Sequence, residues 1–161
     1  MLPSITLALR TATVVLLGTV LLTAAEKQLV QPKEFPTGRP YSPGIVANGT
    51  LYVAGQIGQD LKTGKIPEKF EDEVQLTLDN IGIIMKEAGY EPKDAVAVVV
   101  HLTDVGLFQR MNEVYMKYFP EPRPARTTVE VPKLAGGVAR IEITVTAWKD
   151  PKLAGKAKKR K

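Results

Sequence analysis

The sequence contains no cysteine and a single histidine, His101, among its 161 residues. The absence of cysteine excludes disulfide bonds, thiolate nucleophiles and cysteine-ligated zinc or iron–sulfur centres. A single histidine argues against a multi-histidine metal site and against a Ser-His-Asp triad. Phosphate-binding glycine motifs are also missing, because "AGG" at 135–137 lacks the lysine and the serine or threonine of a P-loop. These absences exclude thiolate chemistry and argue against metal centres built from cysteine or from several histidines.

Positive charge is concentrated at the C-terminal end of the chain. The formal net charge is +5, yet the last ten residues, "KLAGKAKKRK", hold six basic residues and no acidic one. Residues 26–151 hold 15 basic against 17 acidic residues, so the body of the protein is close to neutral. We therefore expect residues 151–161 to form a disordered basic tail, and we expect no nucleic-acid partner for the body. A weak affinity of the tail for anionic lipid or nucleic acid stays open.

The first 25 residues have the layout of a secretory signal peptide. Arg10 precedes the apolar run "TATVVLLGTVLL", which ends in the small residues "TAA" before Glu26. This pattern predicts cleavage after Ala25 and an exported protein, either periplasmic or secreted. The alternative is an uncleaved membrane anchor formed by residues 5–25, although the apolar run is short for crossing ~30 Å of hydrocarbon. Only through such an uncleaved N-terminus would we expect contact with a membrane.

Residues 26–150 are expected to form one domain of the α+β class. Residues 26–43 are rich in proline and are interpreted as an extended lead-in, and Asn48-Gly49 predicts a hairpin between two short apolar runs. Apolar residues recur at helical spacing in "FEDEVQLTLDNIGIIMKEAG" and in "GLFQRMNEVYMKYF". The β-branched segments "DAVAVVVHLTD", "RTTVEV" and "RIEITVTAWK" predict three further strands. The order β-β-α-β-α-β-β predicts a mixed sheet with both helices on one face.

Two charged residues stand in predicted strands, Arg126 at the start of "RTTVEV" and Glu142 in "RIEITV". A guanidinium stays protonated and presents a planar set of donors that matches a carboxylate or a phosphate. Arg126 is therefore either a ligand-binding residue or one half of a structural ion pair with a strand neighbour. Glu142 alternates with the apolar Ile141 and Ile143, which places it on the more polar face of its strand. Simple exposure to solvent is the alternative to a functional role there.

Seven segments taken together carry a resemblance to a known family. In chain order they are "GRPYSPGI", "LYVAGQIG", "TGKIPE", the "LDNI" helix, "LTDVGLFQRMNEVYMKYF", "RPARTTVEV" and "RIEITVTAW". At these spacings they resemble the Rid family of reactive-intermediate enamine/imine deaminases, also called the YjgF or L-PSP family. The resemblance covers residues 28–149. It implies a chorismate-mutase-like α+β fold and a homotrimer with sites in the clefts between subunits.

The resemblance also implies roles for individual residues. Arg126, in "PAR", matches the residue that binds the substrate carboxylate. Glu142, in "RIEI", matches the acid that holds or polarises the attacking water. Tyr41 and Asn112 match polar residues that line the pocket. Gly55, in "AGQ", matches a glycine whose missing side chain lets backbone groups approach the ligand.

Two positions depart from the family pattern. Ala54 stands where many members have serine, and Thr128 stands where many have cysteine, two residues after Arg126. We expect these departures to change the substrate preference or the rate rather than to abolish activity, and Thr128 is included among the predicted substrate-binding residues.

The activity implied by the resemblance is the hydrolysis of a 2-imino acid, or of its enamine tautomer such as 2-aminoacrylate, to a 2-oxo acid and ammonia. It implies a small-molecule substrate and neither an organic cofactor nor a metal. Because imines hydrolyse unaided in water, a protein need only fix the carboxylate, orient a water and assist proton transfer. One arginine and one carboxylate suffice for these tasks.

Two other functions stay open. One is a binding or sensing module for small carboxylates that performs no turnover. The other is the endoribonuclease activity attributed to some relatives, against which the near-neutral body argues. His101 has no paired acid nearby in the sequence and is interpreted as a strand histidine with a local hydrogen bond. Aromatic residues at packing spacing are interpreted as core or trimer contacts: Phe108, Tyr115, Tyr118 and Trp148.

Overall fold

The computed structural model describes residues 26–151 of the chain. The signal peptide or anchor predicted for residues 1–25 lies outside the described residues, and so does residue 152 onwards of the predicted basic tail. Both therefore stay predictions. Between residues 26 and 151, no helix combines the length and the apolar character needed to cross a membrane.

Within residues 26–151, six strands and two α-helices form an α+β domain with a mixed sheet. The elements are β1 (Gln28–Val30), β2 (Gly44–Ala47), β3 (Thr50–Ile57), α1 (Phe70–Glu87), β4 (Ala95–Leu102), α2 (Phe108–Tyr118), β5 (Ala125–Glu130) and β6 (Ile141–Trp148). Short 3₁₀ turns at Pro92–Asp94 and Val105–Leu107 lead into β4 and α2. The strand order is β1-β2-β3-β6-β4-β5, in which β4 and β5 run parallel and every other neighbouring pair is antiparallel. The predicted fold class is confirmed.

One strand lies where the sequence suggested only an extended lead-in. Residues Gln28–Val30 pair with β2 in the register Gln28↔Val46, Leu29↔Ile45 and Val30↔Gly44. A strand of three residues is too short to show a period-two pattern, and prolines follow it closely. The sequence interpretation was therefore wrong in omitting β1. Its Val30 side chain is buried and joins the core, whereas Leu29 is exposed.

Helix α1 follows the predicted periodicity closely. Its inward face consists of Val74, Leu78, Ile81 and Met85, all at most 1% exposed. Three acidic residues in the first turn complement the positive end of the helix dipole. The helix ends in a Schellman motif, in which the amide of Tyr90 donates to the carbonyl of Met85 and that of Gly89 donates to Lys86. Gly89 adopts φ +78°, which explains why glycine stops the helix here.

The two faces of the sheet have different environments. The face beneath the helices is apolar, with Leu51, Val98 and Ile143 each at most 2% exposed. The opposite face has no helix over it among residues 26–151, and it carries large exposed side chains such as Tyr52 and Trp148. Trp148 is 50% exposed, so it is not part of the core of one protomer. Its alternative assignment, a contact between subunits, stays a prediction.

An ion pair between Arg140 and the buried Glu73 links the residue before β6 to α1. Glu73 is fully buried, and its carboxylate accepts hydrogen bonds from the backbone amide and from Nε of Arg140, at 2.7 and 2.6 Å. The Nη2 atom of Arg140 donates to the carbonyls of Pro67 and Glu68. The guanidinium also lies 5.5 Å from the centre of the Phe70 ring. These contacts connect Arg140, which precedes β6, with α1 and the segment before it, which gives Arg140 a structural role.

Candidate functional site

Arg126 lies on the edge strand β5, beneath helix α2. Its position in the parallel ladder is opposite Val98, a buried residue of the helix-covered face, so its side chain shares that face. The guanidinium carbon lies 4.5 Å from the centre of the Tyr115 ring and 5.4 Å from that of Phe108. The Nη1 group donates to Sδ of Met111 at 3.8 Å. Phe108, Met111 and Tyr115 are three and four residues apart, which places them on one face of α2.

No carboxylate neutralises Arg126 in the part of the chain that the structure describes. Acidic side chains lie within 4.0 Å of Arg110, Arg123 and Arg140, but none from residues 26–151 lies that close to Arg126. The alternative raised by the sequence, an ion pair with a strand neighbour, is therefore not found in these residues. Cation–π contacts hold the side chain in place, while its charge has no counter-ion among residues 26–151.

An open cleft of about 400 Å³ adjoins Arg126. It is lined by Asn112, Tyr115, Met116, Arg123, Pro124 and Arg126. The structure thus brings together two of the predicted site residues, Arg126 and Asn112. No acidic residue is among those that line the cleft, so it suits an anion. Sequence reasoning did not assign Arg123 to the site and interpreted Tyr115 as packing, because neither contact follows from a local pattern.

Burial raises the pKa of the Tyr115 phenol, and the positive charges of Arg126 and Arg123 oppose this rise. Its hydroxyl is buried and has no hydrogen-bond partner among residues 26–151. The same holds for the hydroxyl of Thr128, which lies two residues after Arg126 and opposite the buried Val100. Thr128 shares the helix-covered face with Arg126 but does not line the cleft described above.

Glu142 lies on the opposite face of the sheet. In the antiparallel ladder between β4 and β6 it stands directly opposite His101, and the two side chains approach to 3.9 Å between Nδ1 and Oε1. The Nδ1 atom of His101 is buried and makes no hydrogen bond with any residue from 26 to 151. The predicted local hydrogen bond is therefore not found there. The strand order places an acid beside this histidine, which the sequence spacing did not indicate.

Gly55 belongs to the Glu142 side of the sheet, and Tyr41 lies in the loop that contacts the neighbouring Ala54. Gly55 lies in an irregularity of β3, and a Cβ atom built there would meet Oε1 of Glu142 at 2.4 Å. Only glycine leaves room for this carboxylate. The adjoining Ala54 amide donates to the carbonyl of Pro43, which places the loop of Tyr41 beside the same irregularity. Tyr41 is 48% exposed and its ring packs against the Arg39 guanidinium.

The predicted site residues thus form two groups on opposite faces of one protomer. The arginine cleft holds Arg126 and Asn112, and the carboxylate side holds Glu142 with Gly55. One protomer does not bring Arg126 and Glu142 to a common ligand. Among residues 26–151 there is also no cluster of three or more histidine, aspartate or glutamate side chains that could hold a metal ion.

Comparison with known proteins relates this geometry to a family. The chain matches the family described as Endoribonuclease L-PSP over residues 31–149. A RutC family protein of Pyrococcus horikoshii is 45% identical over 112 residues, which cover 69% of this chain and 88% of the relative. The 2-iminobutanoate/2-iminopropanoate deaminase of Bos taurus is 36% identical over 113 residues, which cover 70% of this chain and 82% of the relative.

Solved structures share the same fold. The crystal structure of E. coli TdcF with bound serine superposes with a TM-score of 0.70 at 29% sequence identity, covering 76% of this chain and 98% of that chain.

Proposed function

The chain belongs to the L-PSP family, also called the Rid family, and we propose that it hydrolyses small 2-imino acids, or their enamine tautomers, to 2-oxo acids and ammonia. The observation that carries this proposal is the half-buried guanidinium of Arg126, which aromatic rings hold at an open cleft without a carboxylate partner among residues 26–151. The name of the bovine relative, a 2-iminobutanoate/2-iminopropanoate deaminase, supports the same substrate class.

Arg126 binds the carboxylate of the substrate in this proposal. A guanidinium offers two parallel N–H groups to a carboxylate, which fixes the direction of the ligand as well as its position. The side-chain amide of Asn112, in the same cleft, supplies a further polar contact to the substrate. The bound serine of the similar TdcF structure is consistent with a cleft that accepts small amino-acid-like carboxylates.

Glu142 activates the water. An enamine first takes a proton from solvent at C3 and becomes the iminium; water then adds to C2 while the carboxylate of Glu142 accepts a proton from it, which gives the neutral carbinolamine. Glu142 returns that proton to the nitrogen. The C–N bond then breaks and ammonia leaves, while the hydroxyl group gives its proton to the carboxylate and becomes the C2 carbonyl. His101, 3.9 Å away, orients the Glu142 carboxylate, and Gly55 leaves the space that it occupies.

A complete site then requires a second copy of the chain. Because Arg126 and Glu142 lie on opposite faces of one sheet, the arginine cleft of one protomer must meet the carboxylate side of its neighbour. A homotrimer with three such sites satisfies this requirement through heterologous contacts that close into a ring. The exposed apolar side chains on the helix-free face, including Trp148 and Tyr52, provide surface for this assembly.

A second candidate function is the binding of small carboxylates without turnover. The observation that favours it is the separation of Glu142 from Arg126 in one protomer, because the arginine cleft by itself binds an anion but has no carboxylate to activate water. RNA cleavage is disfavoured by the 15 basic and 17 acidic residues of segment 26–151, since nucleic-acid binding relies on excess positive charge.

Export remains our proposal from the composition of residues 1–25. Determining the N-terminal residue of the mature protein tests it.

The experiment generates 2-aminoacrylate in situ with a pyridoxal-phosphate serine dehydratase and follows the release of pyruvate. We expect the purified protein to accelerate the release above the buffer rate, and we expect Arg126→Met to remove most of the acceleration. Binding of 2-oxobutanoate without any acceleration would favour the second candidate function and contradict the first.

A further inference from the structure

The arginine cleft contains a second guanidinium, that of Arg123. Both Arg123 and Arg126 line it, together with uncharged residues, and no aspartate or glutamate is among the lining residues. Both arginines also act on the same phenol, because their charges each oppose the rise in the pKa of Tyr115. Hydrolysis of a monocarboxylic imino acid needs one carboxylate-binding group, and Arg126 supplies it. Arg123 is therefore in excess of what the proposed reaction requires.

Arg123 differs from Arg126 in having a counter-ion that can be exchanged. Its Nη1 group donates to Oε1 of Glu121, whose side chain is 76% exposed, while the Arg123 side chain is 37% exposed. An ion pair with such an exposed partner is screened by water and contributes little. A ligand carboxylate can therefore replace Glu121 at small cost. Pro122 and Pro124 flank Arg123 and restrict the backbone that carries it.

We propose that this cleft selects a 2-imino dicarboxylate, with Arg126 on the carboxylate next to the imine and Arg123 on the distal carboxylate. The inference rests on the proposed function, because it assigns the substrate class of the same site. The reaction is balanced: the carbon of the protonated imine gains the oxygen of one water, the C–N bond breaks, and ammonium and a 2-oxo dicarboxylate form. A two-electron oxidation of an amino dicarboxylic acid is the class of reaction that supplies such a substrate.

Equilibrium binding of stable 2-oxo acids tests the inference without any turnover. Calorimetry would compare 2-oxoglutarate, which has a distal carboxylate, with 2-oxobutanoate, which has none. We expect the unmodified protein to bind 2-oxoglutarate about tenfold more tightly, the contribution of one charge-assisted hydrogen-bonded contact. Equal affinities, or no binding of 2-oxoglutarate, would contradict the inference.

Three variants test whether Arg123 causes the preference for 2-oxoglutarate. Arg123→Gln is expected to remove the preference for 2-oxoglutarate and to leave the affinity for 2-oxobutanoate within about twofold, because Arg126 is untouched. Lys62→Gln removes the same charge from an exposed turn outside the cleft and should change neither affinity. Glu121→Gln removes the competing carboxylate, and we expect it to tighten 2-oxoglutarate binding. Loss of the preference in Lys62→Gln as well would mean that net charge, and not Arg123, is responsible.

Turnover then separates the inference from the proposed function. If the protein hydrolyses the imine of a monocarboxylic amino acid but shows no higher kcat/KM for the imine of aspartate or glutamate, the inference fails and the proposed function stands. If neither imine is hydrolysed faster than in buffer while the calorimetric preference holds, the proposed function fails and the dicarboxylate specificity of the cleft stands.

Discussion

Arg140 and Arg126 are both half-buried arginines beside an aromatic ring, yet their surroundings differ. Arg140 has the carboxylate of Glu73 and two backbone carbonyls as hydrogen-bond partners. Arg126 has two aromatic rings and a methionine sulfur, and no carboxylate within 4.0 Å among residues 26–151. The first arrangement pairs the guanidinium with a carboxylate and two carbonyls of the same protomer, so it stabilises the fold. The second positions the guanidinium without satisfying it, which is the arrangement a ligand-binding group needs.

The largest effect is expected from breaking the structural pair. Glu73→Ala leaves Arg140 without its carboxylate and empties a fully buried position. We expect the free energy of unfolding to fall by about 3–5 kcal/mol, the usual cost of removing one partner of a buried ion pair. Urea denaturation measures this loss. Glu87→Ala, at the exposed end of α1, serves as the control and should change stability by less than ~0.5 kcal/mol.

Arg126→Met, in contrast to Glu73→Ala, should lower activity and leave stability almost unchanged. The methionine side chain keeps apolar contact with Phe108 and Tyr115, so we expect the free energy of unfolding to change by less than ~1 kcal/mol. The ligand loses its charge-assisted contact, and kcat/KM for 2-aminoacrylate is expected to fall by about 100-fold or more. Steady-state kinetics and urea denaturation on the same preparation check both statements. A large loss of stability with full activity would place Arg126 with Arg140 as a structural residue.

Gly55→Ala affects the other group of site residues. The added Cβ meets Oε1 of Glu142 at 2.4 Å, so the carboxylate must move away from its place. Because the displaced atom ends a flexible side chain, the fold should tolerate the change. We expect kcat to fall by about tenfold through the misplaced carboxylate. The affinity for 2-oxobutanoate should stay unchanged, since Arg126 provides it. A weakened affinity with an unchanged kcat would assign Gly55 to ligand binding instead.

The smallest effect is expected from substituting a third arginine, Arg110. It is paired with Glu71 at the exposed start of α1, and the hydrogen bond from Arg110 is the main reason that the pKa of Glu71 is lowered from 4.5 to about 2. A lowered carboxyl pKa stabilises the folded state above the unfolded pKa, and this contribution is lost as the pH falls from 4.5 towards 2. In Arg110→Ala we expect the pKa of Glu71 to return towards 4.5, with activity unchanged. NMR titration of the Glu71 carboxyl measures it, and an unchanged pKa would contradict the assignment to Arg110.

Local patterns predicted the elements of the fold better than the environments of their charged residues. The spacing of Val74, Leu78, Ile81 and Met85 located α1, and Gly89 marked its end, because both signals act within a few residues. The contacts of Arg126 with Phe108 and Tyr115 depend instead on how α2 packs over β5. No periodicity contains that information.

The same limit applies to the two faces of the sheet. The sequence alternation placed Glu142 on the more polar face of β6, and the resemblance placed Arg126 and Glu142 in one site. That they lie on opposite faces follows from the strand order β6-β4-β5 and from the register of His101 with Glu142. Strand order is a property of the whole chain. It also explains why the acid beside His101 was not apparent from the sequence.

Subunit complementation tests the central claim most directly, namely that the Arg126 cleft of one protomer and Glu142 of another form the site. Arg126→Met and Glu142→Gln would each be prepared alone and as an equal mixture assembled by co-expression, and hydrolysis of 2-aminoacrylate would be measured for all three. Each variant alone should be inactive. Random mixing pairs an intact Arg126 with an intact Glu142 in about a quarter of the sites between protomers, so the mixture should recover about a quarter of the unmodified activity. An inactive mixture, with the unmodified protein active and the mixed oligomers formed, would contradict the claim.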